Sequence, residues 1–369
     1  MAHEGDRGPV RVGLVGCGHV SGRYLQNISA SPEIEVVACA DALPENAARV
    51  ALEHGIAESL TVDHLMSHDG VELVLNLTIP AAHAAVSMQA LEAGKHVYTE
   101  KPLAGDVEEG RRILRRAAKL GLRVGSAPDT FMGAGIQSCR SLITSGAIGT
   151  PVSANAFMLT PGPERFHPNP DFLYARGAGP LLDGGPYYLS ALMSLLGPIS
   201  RVTGRGRSPR QSRAVETGPR IGAEFPVEVF THLASLLEFA TGALATLVTS
   251  FDVIDTRTPR LEVHGTEGSI IAPAPNSWGG PAWVRRRRET DFVPIDIDEV
   301  SPGYMGMGLV DMAMAIRSSE RHIASGARAL HALDVMEGIL FSADRAGEFV
   351  EMTSVDPSTW SATKDAVPA

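Results

Sequence analysis

From Val10 to about Val124, short apolar runs alternate with stretches of helical periodicity. VRVGLVG (10–16) reads as a buried strand and leads into the helix-like HVSGRYLQNISA. IEVVACAD (34–41) precedes PENAARVALEHG, and VELVLNLT (71–78) precedes AAHAAVSMQALEAG. KHVYTE (95–100) precedes DVEEGRRILRRAAKLG and a last run, LRVG (122–125). Strands alternating with helices predict right-handed crossovers and a parallel sheet. Runs with little polar alternation fit strands buried on both faces.

Beyond residue 125 the pattern changes. The spacing predicts a helix over 135–146, a strand at VSANAFMLT (152–160) and a Pro-rich loop over 161–172. YYLSALMSLLG (187–197) reads as another helix. SRVTGRGR, VEVFTHLASLLEF, ALATLVTSFDV and RLEVHGTEGSI then alternate and carry β-branched residues, with Gly-containing turns between them, which predicts a meandering, largely antiparallel sheet. Two helices, about 307–324 and 328–346, precede a short FVEM. The expected fold class is α/β: a doubly wound parallel sheet over 8–126, then an α+β domain over 127–369 with a large, mostly antiparallel open sheet.

A length of 369 residues suits two domains at about 100–200 residues each. With 44% hydrophobic and 20% charged residues, disorder is excluded. The net charge of −10 speaks against a general binder of nucleic acid or anionic membrane. Cys17, Cys39 and Cys139 are too few and too scattered for a disulfide framework, and no Cys/His spacing suggests a metal. The opening MAHEGDRGPV has no apolar core of a signal peptide, and no run approaches a membrane span. A cytoplasmic protein is the expectation.

Candidate chemistry gathers at the strand ends. Gly16-Cys17-Gly18-His19-Val20 closes the first strand and opens a helix. Gly16 permits a tight turn, Gly18 a close backbone approach to a pyrophosphate, and the helix N-terminus offers N–H groups to that anion. Ser21 stands where a third glycine is usual. Asp41 ends the second strand, 41 − 18 = 23 residues after Gly18. A carboxylate there accepts from a ribose 2′-OH and repels a 2′-phosphate, which favours NAD, with NADP the alternative. The other reading of Asp41 is a cap for the helix starting near Pro44. Thr78-Ile79-Pro80 and Glu100-Lys101-Pro102 end the third and fourth runs, where open α/β sheets bind ligands.

The run GLVGCGHVSGRYL, VVACAD, LNLTIPAAHAAVSMQALEAGKHVYTEKPLA and GAGPLLDGGPYYLSALMSLLG resembles the glucose–fructose oxidoreductase / inositol dehydrogenase (Gfo/Idh/MocA) family of NAD(P)-dependent sugar oxidoreductases. The resemblance implies a Rossmann domain plus an α/β domain whose open sheet mediates homodimers or homotetramers. It implies that Lys101 contacts the substrate hydroxyl near the nicotinamide, beside Glu100. The second-domain motif Asp-x-Gly-x-His reads here Asp183-Gly184-Gly185-Pro186-Tyr187, so Tyr187 stands where many members place a histidine. Lys101, Asp183 and Tyr187 are the expected catalytic residues. A phenol with an unperturbed pKa of ~10 needs a nearby ammonium to act as a base, and Lys101 supplies one.

His83, three residues after Pro80, is expected at the cofactor or holding the turn after the third run. Asp129, Thr130, His167 in the Pro-rich loop, and Arg257, with Asp252 near it, are candidate substrate contacts. Arg285 to Arg288 read as a solvated edge or an oligomer contact. The implied activity is hydride transfer between NAD and a secondary alcohol or ketone of a sugar, cyclitol or glycoside. Two rival readings are a glycoside hydrolase or lyase that oxidises its sugar transiently, and a non-catalytic NAD sensor.

Overall fold

Five of the apolar runs become strands of one parallel sheet, in a computed structural model that describes residues 8–298 and 302–355. The elements are β1 (Val10–Val15), α1 (His19–Ile28), β2 (Ile34–Ala40), α2 (Pro44–His54), β3 (Glu58–Leu60), α3 (Val62–Ser67), β4 (Leu73–Asn76), α4 (His83–Glu92), β5 (His96–Thr99), α5 (Val107–Leu120) and β6 (Val124–Ser126). Strand order is β3-β2-β1-β4-β5-β6, and every pairing is parallel. The order reverses between β1 and β4, so the crevice of this sheet opens at their carboxyl ends. Leu14, Leu73, Leu75 and Val97 are fully buried in it. Each such side chain contributes about 1.5–3 kcal/mol.

Helix ends follow from local chemistry. The Asp106 side chain accepts the Glu109 N–H at 2.7 Å, and Glu109 Oε2 accepts from Gly105. That caps α5, whose inner face is Val107, Gly110, Ile113 and Ala117, and Gly121 at φ 68° ends it. The edge strand β3 and the one-turn α3 were absent from the sequence reading. Glu58-Ser59-Leu60 has no apolar run because an edge strand with exposed positions needs none.

The chain packs as two units. One takes in Met1–Met132 with Gly303–Leu330, the other Gly133–Pro302 with His331–Ala369. The second holds α6 (Ala134–Thr144), β7 (Pro151–Leu159), α7 (Pro180–Leu196), β8 (Ile199–Arg207), β9 (Ser212–Ala214), β10 (Glu224–Pro226), β11 (His232–Phe239), β12 (Leu244–Ser250), β13 (Leu261–Gly265), β14 (Gly268–Ala272), β15 (Trp283–Arg286) and β16 (Val293–Pro294). With β17 (Val350–Glu351) the main sheet runs β16-β15-β14-β13-β7-β12-β11-β8-β17. All its pairings are antiparallel except β7 with β12. Along β7, Ala154, Ala156 and Met158 are buried on the side where α7 packs, while Ser153, Asn155, Phe157 and Leu159 alternate outward and stay half-exposed. β9 and β10 form a separate ribbon.

Two more helices follow: α8 (Met307–Ser318) and α9 (Gly326–Asp344). The stretch 303–330, expected in the second domain, belongs to the first unit. There α8 packs on β1 and β6. Arg317 clasps both Glu72 oxygens at 2.9 Å, and Asn27 donates to the Met305 carbonyl. α7 also departs from expectation: it starts at Pro180, not 187, and carries Pro186 inside it.

Candidate functional site

The turn after β1 needs one glycine for itself and leaves another for a ligand. Gly16 has φ 100°, and a Cβ there would lie 2.5 Å from the Leu77 carbonyl carbon, so both dihedral and space demand glycine. Gly18 has φ −80°, and among the described residues a Cβ on it would meet no atom within 4 Å beyond its chain neighbours. Nothing in the fold requires glycine at 18; what it keeps free is the space outside the turn. Gly18 is also the N-cap of α1, brings no side-chain cap, and is followed by no acidic residue in the first turn. His19 is exposed and Val20 half-exposed beside it. The positive end of α1 is thereby left open to an anion, and these residues fit a dinucleotide pyrophosphate.

Asp41 holds the backbone on both sides of the strand end. One carboxylate oxygen accepts the Cys17 N–H at 2.7 Å; the other accepts the Leu43 N–H at 2.9 Å and lies 3.4 Å from Asn46 Nδ2. It therefore pins the glycine turn to the end of β2 and also shapes the entry to α2. Arg49 supports the same turn by donating to the Cys17 carbonyl. The buried Cys17 thiol is pushed well up, by its hydrogen bond with Cys39 first and by burial second, so it is no nucleophile.

The next two turns are locked together by buried polar groups. Asn76, fully buried at the end of β4, accepts from the Thr78 hydroxyl at 2.6 Å and donates to the His83 carbonyl and to Ser87. Because the Thr78 hydroxyl spends its proton on Asn76, it can only accept from a ligand. Ile79 beside it is 69% exposed, an apolar surface at a strand end. His83 is buried, with Nδ1 2.7 Å from the Pro102 carbonyl oxygen and Nε2 3.0 Å from that of Thr78. Glu100 accepts the Lys101 N–H at 3.0 Å and the Tyr24 hydroxyl at 2.8 Å, while its own N–H donates to the Asn76 carbonyl. Lys101 and Pro102 are half-exposed, joined by a cis peptide bond. Burial, then Glu100, raises the Tyr24 pKa well above the usual phenol range, so Tyr24 stays a donor.

Asp129 and Thr130, expected at the substrate, are turned into the first unit. Both are buried, and Asp129 accepts the Gly306 and Gly308 N–H groups at 2.8 and 3.1 Å, ahead of and inside the first turn of α8. Gly308 is needed there, since a Cβ would lie 2.4 Å from the Tyr98 hydroxyl.

In the second unit, Asp183 and Tyr187 both belong to α7, four residues apart and so on one face, and both are half-exposed. The early start of α7 brings this about. Gly184 lets it seat against Met158, where a Cβ would lie 2.4 Å from that side chain. Neighbouring Tyr188 is buried, and burial pushes its pKa up to about 12, so of the two tyrosines Tyr187 is the accessible one. His167 accepts from the Asn169 N–H and sets its ring edge-on to Phe172 at 5.3 Å, while Arg257 is exposed on its loop.

A buried ionic cluster in this unit went unforeseen as a whole. Arg213, whose side chain is 2% exposed, reaches both Glu164 and Asp252 and lies over the Tyr174 ring at 5.1 Å. Tyr174 donates to Glu164, and Thr231 to Asp252. Asp252 thus serves the cluster that ties the 161–172 loop to the sheet. Among the described residues, no three His, Cys, Asp or Glu side chains gather as a metal would need, and no helix is long and apolar enough to cross a membrane.

A doubly wound parallel sheet with an open glycine turn at its switch point, followed by a mixed sheet unit, defines an NAD-binding oxidoreductase architecture. Residues 10–127 match the oxidoreductase family with NAD-binding Rossmann fold, and 136–271 match the GFO/IDH/MocA C-terminal domain. The chain belongs to the GFO/IDH/MocA family of NAD-binding oxidoreductases. It is 30% identical to a dTDP-3,4-didehydro-2,6-dideoxy-alpha-D-glucose 3-reductase of Streptomyces violaceoruber over 71% of this chain and 72% of that one. A 1,5-anhydro-D-fructose reductase of Ensifer adhaerens is 28% identical over 71% and 75%. The solved structure of a levoglucosan dehydrogenase in complex with NADH shares the fold, with a TM-score of 0.82 at 21% identity over 94% of this chain and 100% of that one.

Proposed function

We propose that this oxidoreductase transfers a hydride between NAD and a secondary alcohol or ketone of a sugar, cyclitol or glycoside. The observation that carries the reading is the pinned turn at Glu100-Lys101-Pro102, which Glu100 and His83 hold to the fold and at which Lys101 is half-exposed. Relatives named as reductases of anhydro- and deoxysugars and as inositol dehydrogenases support the substrate class.

Bound NAD supplies the hydride acceptor, or its reduced form the donor. In this reading Lys101 holds the substrate oxygen and Tyr187 takes or returns the hydroxyl proton. Asp183, one turn before Tyr187 on the same face, orients the polar groups around it. Gly16, Cys17, Gly18, His19 and Val20 at the α1 N-terminus would hold the pyrophosphate of the cofactor. Asp41 would hold the adenine ribose, and Thr78, Ile79 and Pro80 the nicotinamide end. The Asp41 carboxylate, together with Arg49 already held by Glu53, favours NAD over NADP. His167 and Arg257 remain candidates for the substrate rim. The outward residues of β7 support a homo-oligomer formed through the open sheet, and a cytoplasmic setting accords with the three free, buried cysteines.

The test is a polyol and glycoside panel followed at the NADH absorbance band, with NAD and NADP in parallel. Tyr187→Phe and Lys101→Ala are each expected to lower kcat by about 10²–10⁴. Their double variant should lose little more than the worse single one, since both act on one hydroxyl. Wild-type rates in both single variants would exclude the roles, and product release without net NADH would move the protein to redox-assisted elimination. Asp41→Ala should relax the cofactor preference; a wild-type enzyme preferring NADP contradicts the assignment.

A further inference from the structure

His83 looks at first like a cofactor ligand: it lies three residues past Pro80, close to the strand end where the nicotinamide is expected. Its ring is otherwise engaged. One nitrogen meets the Pro102 carbonyl oxygen at 2.7 Å and the other the Thr78 carbonyl oxygen at 3.0 Å, and the residue is 1% exposed. Both nitrogens face backbone carbonyl oxygens, of which a ring with one N–H donates to one, the Pro102 oxygen being the nearer, and no surface is left for a ligand. These two oxygens belong to different turns, one after β4 and one after β5, separated by 102 − 78 = 24 residues of chain. The first turn carries Thr78, whose hydroxyl is set by Asn76; the second carries Lys101.

We infer that His83 is a positioning residue that fixes the Lys101 turn to the Thr78 turn. This rests on the role given above to Lys101. The segment from Glu100 to Asp106 has neither helix nor strand to hold it. Ties that reach it from outside include the Glu100 N–H to the Asn76 carbonyl, the Tyr24 hydroxyl to the Glu100 carboxylate, the Gly105 N–H to Glu109, and the Pro102 carbonyl to His83. The last comes from the start of α4 and lies next to Lys101. Removing that tie frees the Lys101 backbone without touching the pyrophosphate turn at Gly16–Gly18. A catalytic group displaced by about 1 Å can cost about 10²-fold in rate, whereas the Gly16–Val20 and Asp41 turns, to which the reading above gives the pyrophosphate and the adenine ribose, make no contact with His83 and should keep most of the cofactor affinity.

The experiment uses the full chain with His83→Ala and His83→Gln, read by amide hydrogen exchange of a peptide covering 100–105, NAD affinity by titration, and kcat. In His83→Ala, exchange over 100–105 is expected to rise about tenfold, kcat to fall about 10–100-fold, and the Kd for NAD to stay within about threefold. His83→Gln retains an amide donor at similar reach and should recover part of the protection and of kcat; it also carries the test if the alanine variant does not fold. Unchanged exchange over 100–105 overturns the inference. So does a tenfold loss of NAD affinity with that segment still protected, which would make His83 a ligand contact. A wild-type protein that binds NAD yet turns over no substrate sinks the proposed function, while the exchange measurement still decides the tie.

Discussion

The strand-end turns of the first unit and the polar heart of the second hold their side chains in opposite ways. In the first, side chains are held against backbone groups: Asn76 and His83 meet carbonyl oxygens, and Asp41 and Asp129 accept backbone N–H groups. In the second, a buried arginine holds two carboxylates from segments far apart in the chain, Glu164 before α7 and Asp252 after β12. Such ties can be lost one at a time, at about 0.5–1.5 kcal/mol each where both partners are neutral. A buried charge cluster fails together, because removing one member strands the rest. The first design suits turns that must yield slightly to admit a dinucleotide; the second suits a loop that must not move.

The largest effect that could break this contrast is in the second unit. Arg213→Ala leaves Glu164 and Asp252 facing each other with almost no water, and is expected to cost about 3–5 kcal/mol. Trp278 and Trp283 lie in that unit, the described residues of the first contain no tryptophan, and Trp360 lies outside the described residues, so fluorescence-detected denaturation in a Trp360→Phe background reads it selectively. A loss below about 1 kcal/mol would show that the cluster is not the anchor its burial suggests.

Acid should act on the other unit. His96 and His322 are held at about 4, below the ordinary 6.5, by burial first and by the charge of Arg123 next. His96 Nδ1 accepts the Arg123 N–H, as a neutral ring must. Unfolded chains bind these protons below pH 6.5 and the folded unit resists until about 4. Stability is therefore full above 6.5 and lost as the pH falls through that window. At pH 5 the deficit is about 2 kcal/mol per histidine, and amide exchange in β5 and β6 should quicken while tryptophan fluorescence holds steady. His322→Gln should flatten half of that acid slope; an unchanged slope would place the acid response elsewhere.

How much of this was legible in the sequence follows the same division. The glycine turn, Asp41 and the strand ends could be read because their demands are local: a positive φ, a carboxylate at a strand end, an apolar run. The sheet order beginning at β3 could not, since Glu58-Ser59-Leu60 pairs on one side only and carries no hydrophobic pattern. Pro186 hides the start of α7, because a proline is expected to stop a helix; the helix runs through it from Pro180, seated against Met158 at Gly184. Asp129 follows a strand end like a site residue, yet a helix 177 residues later in sequence claims its carboxylate. Arg213, Glu164 and Asp252 carry no spacing signal, since only the folded sheet brings them together.

The smallest expected change sharpens the contrast most. Gly16 and Gly18 stand two residues apart and meet different demands in the fold. Gly16→Ala forces a side chain at φ 100° into the Leu77 backbone, so it should cost a few kcal/mol of stability, about 1–3 from the dihedral alone. Gly18→Ala adds a methyl at φ −80° with no atom of the described residues within 4 Å beyond its chain neighbours, so stability should shift by no more than about 0.5 kcal/mol. If Gly18 is kept open for a pyrophosphate, the same methyl should raise the Kd for NAD about tenfold or more, equivalent to ~1.4 kcal/mol. Thermal unfolding and NAD titration on the two variants separate the outcomes. Full NAD affinity in a stable Gly18→Ala variant would mean that the dinucleotide does not lie against this turn, and the space left there would need another occupant.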